Sequence, residues 1–502
     1  MSLEELCRRV FPDGERTALE LKLVQDVYAR AAATGVRSVR PEVIRRLLIH
    51  APQVVSGGLG RVSISDANVV GALDLRGLRL DYALAFENSR FCSLELADMR
   101  VVSLDIAGGS AREITAGRLE VSHDLVIGKG FSCGGLHLMS ATIGGDLNLG
   151  GAQLCHQPKR SSLNFDGARI GARVYLRKSN GHDFVATGRV SGQNARVEAG
   201  ILCNDAEFRS HLILTRCQVR GEVSLKDATV CGELQMSAMA ISSDLKLEGT
   251  TVAGAEANFS RAQIGGSFVW KTATDDRDGC DTARLTVNLT QARMGYLDDR
   301  FASWAGVTLE MDGLSLDGIA AQSTEEYVCR RREWLGAQRD WSPHPYDQVR
   351  AALLDSGHES AARKIALARE RARRKRGGLS WLGKKVHGLY GLILGYGYRP
   401  LRFFIVSAVI IALFWVPFSR LHDCPSGTRG RCKDFVVRKA EASDFSAAVY
   451  SADAFLPVDL KQTADWNPRR HVFQLLVASE AVLGWLMAGL LVGAVTGVLR
   501  RD

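Results

Sequence analysis

The sequence predicts a mainly β protein: a parallel β-solenoid of 10–11-residue half-coils, with helical caps and a C-terminal two-helix transmembrane module. Three observations carry this expectation. A short unit close to Ala-x-Ile/Val-x-Gly-x-Leu-x-Leu recurs between about residues 61 and 320. Helix-patterned segments flank that repeat on both sides. Two long apolar stretches lie near the end of the chain. A fixed short period across hundreds of residues is the mark of stacked units that share one continuous core.

Residues 1–60 are expected to form the N-terminal cap. The opening "MSLEELCRRVFPDGERT" carries charges throughout and has no apolar h-region, so no secretory signal is expected. "ERTALELKLVQDVYARAAATG" places apolar residues at three- and four-residue spacing, and Gly35 suits a helix stop. Such a helical piece covers the first coil, which solenoids otherwise leave exposed.

Residues 61–320 form the expected solenoid. "ATIGGDLNL" (141–149), "CQVRGEVSL" (217–225) and "ATVCGELQM" (228–236) are clear copies of the unit. Its first leucine-type position falls at 73, 84, 94, 104 and 114, then at 125, 136 and 147, and later at 201, 212, 223, 234 and 245. Alternating apolar residues over three to five positions make very short strands with every second side chain inward. Glycine and small polar residues between them supply corners. Two units per coil give some twelve coils and, at about 4.8 Å per coil, a rod of roughly 55 Å. Polar insertions interrupt the repeat near 151–162, 177–184 and 271–282. Asp275, Asp276, Asp278 and Asp281 in the last match no calcium loop, and a solvated loop is expected there.

Residues 321–378 read as an αα-hairpin of the tetratricopeptide kind. It divides at Asp355-Ser356-Gly357, with Pro345 at a helix start and Gly357 at a helix end. The expected role is packing on the last coil or docking a partner. Residues 379–400 are a basic interfacial segment. Twelve Lys/Arg stand between Arg363 and Arg402 against the single acid Glu370. Before an apolar span, such a stripe suits anionic lipid headgroups, at about 1 kcal/mol per basic residue, rather than nucleic acid. Trp381, Leu389, Tyr390, Leu392, Ile393 and Leu394 beside Lys384 and Lys385 suggest a segment lying in the interface. "GYG" at 395–397 precedes the span, so it is not read as a filter.

Transmembrane helices are expected at 401–419 and 472–499, joined by an extracytoplasmic loop at 420–471. The basic stripe before the first and Arg500-Arg501 after the second put both termini in the cytoplasm of a two-pass inner-membrane protein. Cys424 and Cys432 then fall outside the cell and form a candidate structural disulfide; the other nine cysteines read as small buried thiols. Gly489, Gly493 and Gly497 recur at intervals of four and form a stripe suited to close helix packing between subunits of a homo-oligomer. Glu480 lies in the outer half of the same span. An ionisable residue there marks a cavity, a pore or a partner, or is a carboxyl that snorkels outward or sits protonated.

The stretch "FSAAVYSADAFLPVDL" resembles the pore segment of two-span ion channels: Phe445, Ala448, Tyr450 and Ser451 fit its short helix. Where a potassium filter has Thr-Val-Gly-Tyr-Gly, this chain has Leu456-Pro457-Val458-Asp459-Leu460. Without glycines, carbonyl coordination of potassium is not expected. Tyr450, Ser451, Asp453, Pro457, Asp459 and Glu480 are the pore or mouth candidates, with Asp453 or Asp459 as an acidic ring. The whole arrangement is similar to a family of bacterial pentapeptide-like-repeat membrane proteins. The resemblance rests on the hairpin motif His344-Pro345-Tyr346-Asp347-Gln348 and Ser356-Gly357-His358 through Ala361-Ala362, with the two-span end. That family is commonly labelled membrane-associated oxidoreductases, which is what the resemblance implies for activity; it carries no catalytic residue over.

An oxidoreductase needs cofactor chemistry, and the sequence shows none. "GGLGRVS" (57–63) lacks the spacing and the helix of a dinucleotide fingerprint. There is no C-x-x-C, no haem or iron–sulfur spacing and no Gly-x-Ser-x-Gly. His123, His137, His156 and His211 are dispersed along the repeat. No catalytic, cofactor or metal residue is therefore assigned. The expected function is a cytoplasmic β-solenoid sensor or binding domain on an oligomeric, ion-channel-like two-span module. The alternatives are a membrane-anchored scaffold, with a protein partner on the solenoid face, and third the oxidoreductase of the family label.

Overall fold

The computed structural model describes the chain except residues 1–2, 13, 15–19, 26–31, 34–37, 51–59, 156–160, 274–284, 322–323, 379, 395–400, 422–434, 438–444, 459, 461 and 496–502. The chain divides into two units, Met1–Ile365 and Ala366–Asp502.

The first unit is a parallel β-solenoid of about 11 turns. Its leucine-type positions stack in two ladders, which is why two sequence units make one coil. One ladder runs Leu84, Leu104, Leu125, Leu147, Val174, Ile201, Val223, Leu245, Phe268, Leu297 and Ile319, each paired in parallel with the next. The other runs Leu73, Leu94, Ile114, Leu136, Leu163, Val190, Leu212 and Leu234. None of these residues is more than 1% exposed. Strands of only two or three residues hold because each backbone pairs with the coils on both sides while the ladder side chains fill the interior.

The corners correct one expectation. Tight turns close by a backbone bond from the fourth residue to the first, as in Met99 N to Leu96 O (3.2 Å) and Cys217 N to Leu214 O (3.1 Å). The third residue takes positive φ: glycine or a small polar residue does so as expected at Gly77, Asp98, Ser140, Gly167, Asn194 and Gly313, but so do Arg118, Arg216, Ala238 and Arg261. Glycine also serves where coils nearly touch. A Cβ on Gly221 would lie 1.5 Å from the Ala199 carbonyl oxygen, and one on Gly144 would lie 2.1 Å from that of Ser122. The polar insertion near 177–184 folds as a tight hairpin, with Ser179 bridged to His182 across Asn180-Gly181. Asp275, Asp276, Asp278 and Asp281 lie outside the described residues.

Helices cap both ends. At the start stand α1 (Leu3–Val10) and α2 (Pro41–His50). Val43, Ile44, Leu47 and Leu48 of α2 are buried, and the Tyr82 hydroxyl donates to the Leu48 carbonyl at 2.7 Å. The cap is not purely helical: Ala32–Ala33 pairs in parallel with Ser63 and Ile64 and adds a rung. After the last coil comes α3 (Glu325–Gly336), which the sequence reading did not anticipate, then α4 (His344–Asp355) and α5 (Glu359–Arg376). The break between α4 and α5 falls at Ser356-Gly357, with Gly357 at φ +77°.

In the second unit, α6 (Trp381–Leu394) follows the end of α5. Then come α7 (Leu401–Phe418), α8 (Ala447–Phe455), α9 (Gln462–Asp465) and α10 (His471–Val495). Phe435–Val437 pairs antiparallel with Trp466–Pro468. Among the described residues, one helix is long and apolar enough to cross a membrane, His471–Val492; the apolar stretch Arg402–Phe418 is shorter. This membrane evidence is compositional, and the two-helix transmembrane module stands as one such helix plus a shorter apolar one.

Candidate functional site

The stretch at 450–460 begins as the short helix α8. Ser446 caps it by accepting from Val449 N, and Leu456 ends it in extended backbone. Tyr450 is buried among Phe418, Phe435 and Phe445, with ring centroids 5.2, 6.2 and 5.5 Å away. Ser451 faces the two long helices: its Oγ lies 3.0 Å from the Ile411 carbonyl of α7 and 2.5 Å from Glu480 Oε1 of α10. Glu480 is fully buried, and its Oε2 has no hydrogen-bond partner among the described residues.

One turn further along α10, the Phe455 carbonyl oxygen presses against Gly484, where a Cβ would lie only 1.8 Å away. Met487 then packs with Phe455, Phe403 and Ile393. Glu480, Gly484 and Met487 therefore form the face of α10 that receives α8. Gly484 is the close-packing position of this site that sequence reasoning missed. Its signal was the four-residue step from Glu480, which lies off the register of the glycine stripe.

The remaining candidates divide. Asp453 does not stand free: its carboxylate accepts from Leu460 N, Thr463 N (2.7 Å) and Thr463 Oγ (2.8 Å), which folds the segment back onto α8. Leu456, Pro457, Val458 and Leu460 are exposed. Among the described residues, nothing lies within 4 Å of where a Cβ on Gly489 would stand. Gly493 lies within α10. Asp459, Gly497, Cys424 and Cys432 lie outside the described residues.

The basic stripe takes shape as two helices. His387 Nε2 of α6 lies 3.0 Å from Glu370 Oε2 of α5, and the Arg374 guanidinium lies across Gly388. Trp381, Leu382 and Leu389 are exposed, with Lys385 Nζ 5.6 Å from the Trp381 ring centroid. Among the described residues no cluster of His, Cys, Asp or Glu suits a metal ion. His137 pairs with Glu113 (3.2 Å), and His211 Nδ1 accepts from Glu233 N (3.0 Å), so these histidines do not converge.

Burial pushes the thiols of Cys133, Cys203 and Cys217 up to about 12, as expected of inert core cysteines. Cys231 departs from that expectation because it is disulfide-bonded, and Cys92, Cys155 and Cys329 depart from it because they are exposed. Comparison with family models, curated proteins and solved structures finds no match for this chain.

Proposed function

We propose that the chain is an integral membrane protein in which α7 and α10 both cross the bilayer, with α8 inserted between them as the pore helix of an ion-channel-like module. The single observation that carries this reading is Ser451, which bridges the Ile411 carbonyl of α7 and Glu480 of α10. A polar helix–helix contact of this kind is worth most where water is excluded, and non-helical backbone at membrane depth persists only when protein or a cavity covers it. An 18-residue α7 spans about 27 Å, close to the hydrocarbon thickness. Both termini and the solenoid are cytoplasmic in this reading, the exposed Trp381-Leu382 edge and its lysines sit among anionic headgroups, and the open Gly489 face receives another copy of the chain. The solenoid is the binding or sensing domain.

A second reading, a membrane-anchored scaffold with a closed plug, is favoured by the engagement of Asp453 with the Leu460 and Thr463 amides. Current recordings from the purified full chain in planar bilayers separate the two. The pore reading expects a conductance that changes in Glu480→Gln and Ser451→Ala. Silence across voltages, from protein shown to be folded and inserted, favours the scaffold.

A further inference from the structure

At the end of the solenoid the last coils and α3 enclose a cleft of about 1020 Å³ within the first unit. One wall is the 3-10 turn Phe301–Trp304 and the other is the face of α3 that carries Tyr327, Arg331 and Trp334. These residues fall at i, i+4 and i+7, one stripe of one helix, and each is at least nine-tenths buried. The guanidinium of Arg331 sits 4.8, 5.4 and 5.0 Å from the ring centroids of Phe301, Tyr327 and Trp334. Its two terminal nitrogens are held by Asp299, at 2.9 and 2.8 Å.

Three polar atoms on this stripe remain unused: among the described residues, Arg331 Nε, Trp334 Nε1 and the Tyr327 hydroxyl are buried without a hydrogen-bond partner. An orphaned buried donor costs roughly 1–3 kcal/mol, so one on a cleft wall calls for an acceptor. The Asp299 carboxylate is engaged by Arg331 and by Trp304 Nε1 at 2.7 Å, and the Tyr327 hydroxyl stands beside the Arg331 guanidinium, which leaves Trp334 Nε1 as the donor with no acceptor among the described residues. The charge of Arg331 is already balanced, so the missing acceptor need not be ionic. The aromatic walls favour a flat body.

We infer that this cleft is a binding site for a small planar molecule that carries a carboxylate or carbonyl oxygen, with Trp334 Nε1 as the donor that recognises it. The inference does not depend on conduction by the C-terminal helices, because binding is read without any current. Failure of either claim is therefore visible separately.

The test uses the full chain in lipid nanodiscs, with empty nanodiscs as the partition control. Naphthalene-2-carboxylate, naphthalene-2-carboxamide and oxygen-free naphthalene are titrated by calorimetry. The two oxygen-bearing probes are expected to bind saturably with Kd of about 1 mM or tighter. Trp334→Phe keeps an aromatic ring and removes the N–H, and it should weaken both at least fivefold. Ala302→Trp, which fills the mouth, should abolish binding; either variant serves provided it melts like the native chain. Absence of saturable binding, equal binding of naphthalene, or unchanged binding in both variants would overturn the proposal.

Discussion

Arg331 and Asp299 form a bidentate ion pair in which the two side chains are 0% and 1% exposed. The pair joins the capping helix α3 to the last coils of the solenoid, and Trp304 Nε1 donates to the same carboxylate. Breaking a buried pair leaves its other charge uncompensated, which costs far more than the pair contributes when intact. Arg331→Met alone should therefore destabilise the first unit by about 3–5 kcal/mol. The double change Arg331→Met with Asp299→Leu should recover much of that loss. Denaturant melts of the single and double variants, followed by far-ultraviolet dichroism, measure the difference. Equal losses in both would mean that the uncompensated Asp299 charge is not what costs stability.

Two glycines of α10 are expected to behave oppositely. Gly484→Ala drives a methyl into the Phe455 carbonyl and should lower stability by about 1–3 kcal/mol, like other overpacked sites. Gly489→Ala meets nothing among the described residues of its own chain and should leave a monomer unchanged. Thermal melts in detergent test the first point. A loss of assembly in Gly489→Leu, read by light scattering, would assign that face to a second copy.

Ser451→Ala removes the one hydrogen-bond partner that the Glu480 carboxyl has among the described residues and should cost about 1–3 kcal/mol. Adding Glu480→Gln to it should cost less than the sum of the two single changes, because the residues share one contact. A double-mutant cycle on melting temperature checks this.

The buried thiols give a pH prediction. Cys133, Cys203 and Cys217 ionise at about 12 in the fold against 9.0 for a free thiol. The folded pKa lies above the unfolded one, so the stabilisation is full below pH 9 and is lost as pH rises from 9 towards 12. At pH 8 maleimide should modify the exposed Cys92, Cys155 and Cys329 and spare these three until the chain unfolds. Cys231 should react only after reduction. Mass spectrometry after labelling, with and without reductant, resolves each class.

Much of the solenoid was legible because its signal is periodic. Leu147, Val223 and Leu245 occupy the register their spacing predicts, and every coil repeats the same test of the pattern. The corners were less legible, since positive φ at Arg118 or Ala238 leaves no compositional mark. Helix α3 was hidden because its burial depends on coils distant in sequence: Arg331 reads as an ordinary surface arginine until Asp299 is placed beside it. In the C-terminal unit, the candidate residues Tyr450, Ser451 and Glu480 do converge. The use of Asp453 as a backbone acceptor and the role of Gly484 arise only from the packing of α8 between two helices.

The central claim is that α7 and α10 both cross the membrane with the intervening segment on the far side. Side-specific labelling tests it directly, using single cysteines at Ser380, Val436 and Asp502 in a chain whose exposed native cysteines are replaced by serine. A membrane-impermeant maleimide applied outside intact cells is expected to label Val436→Cys alone, while Ser380→Cys and Asp502→Cys react only after permeabilisation. Labelling of Val436→Cys from the same side as Ser380→Cys would contradict it.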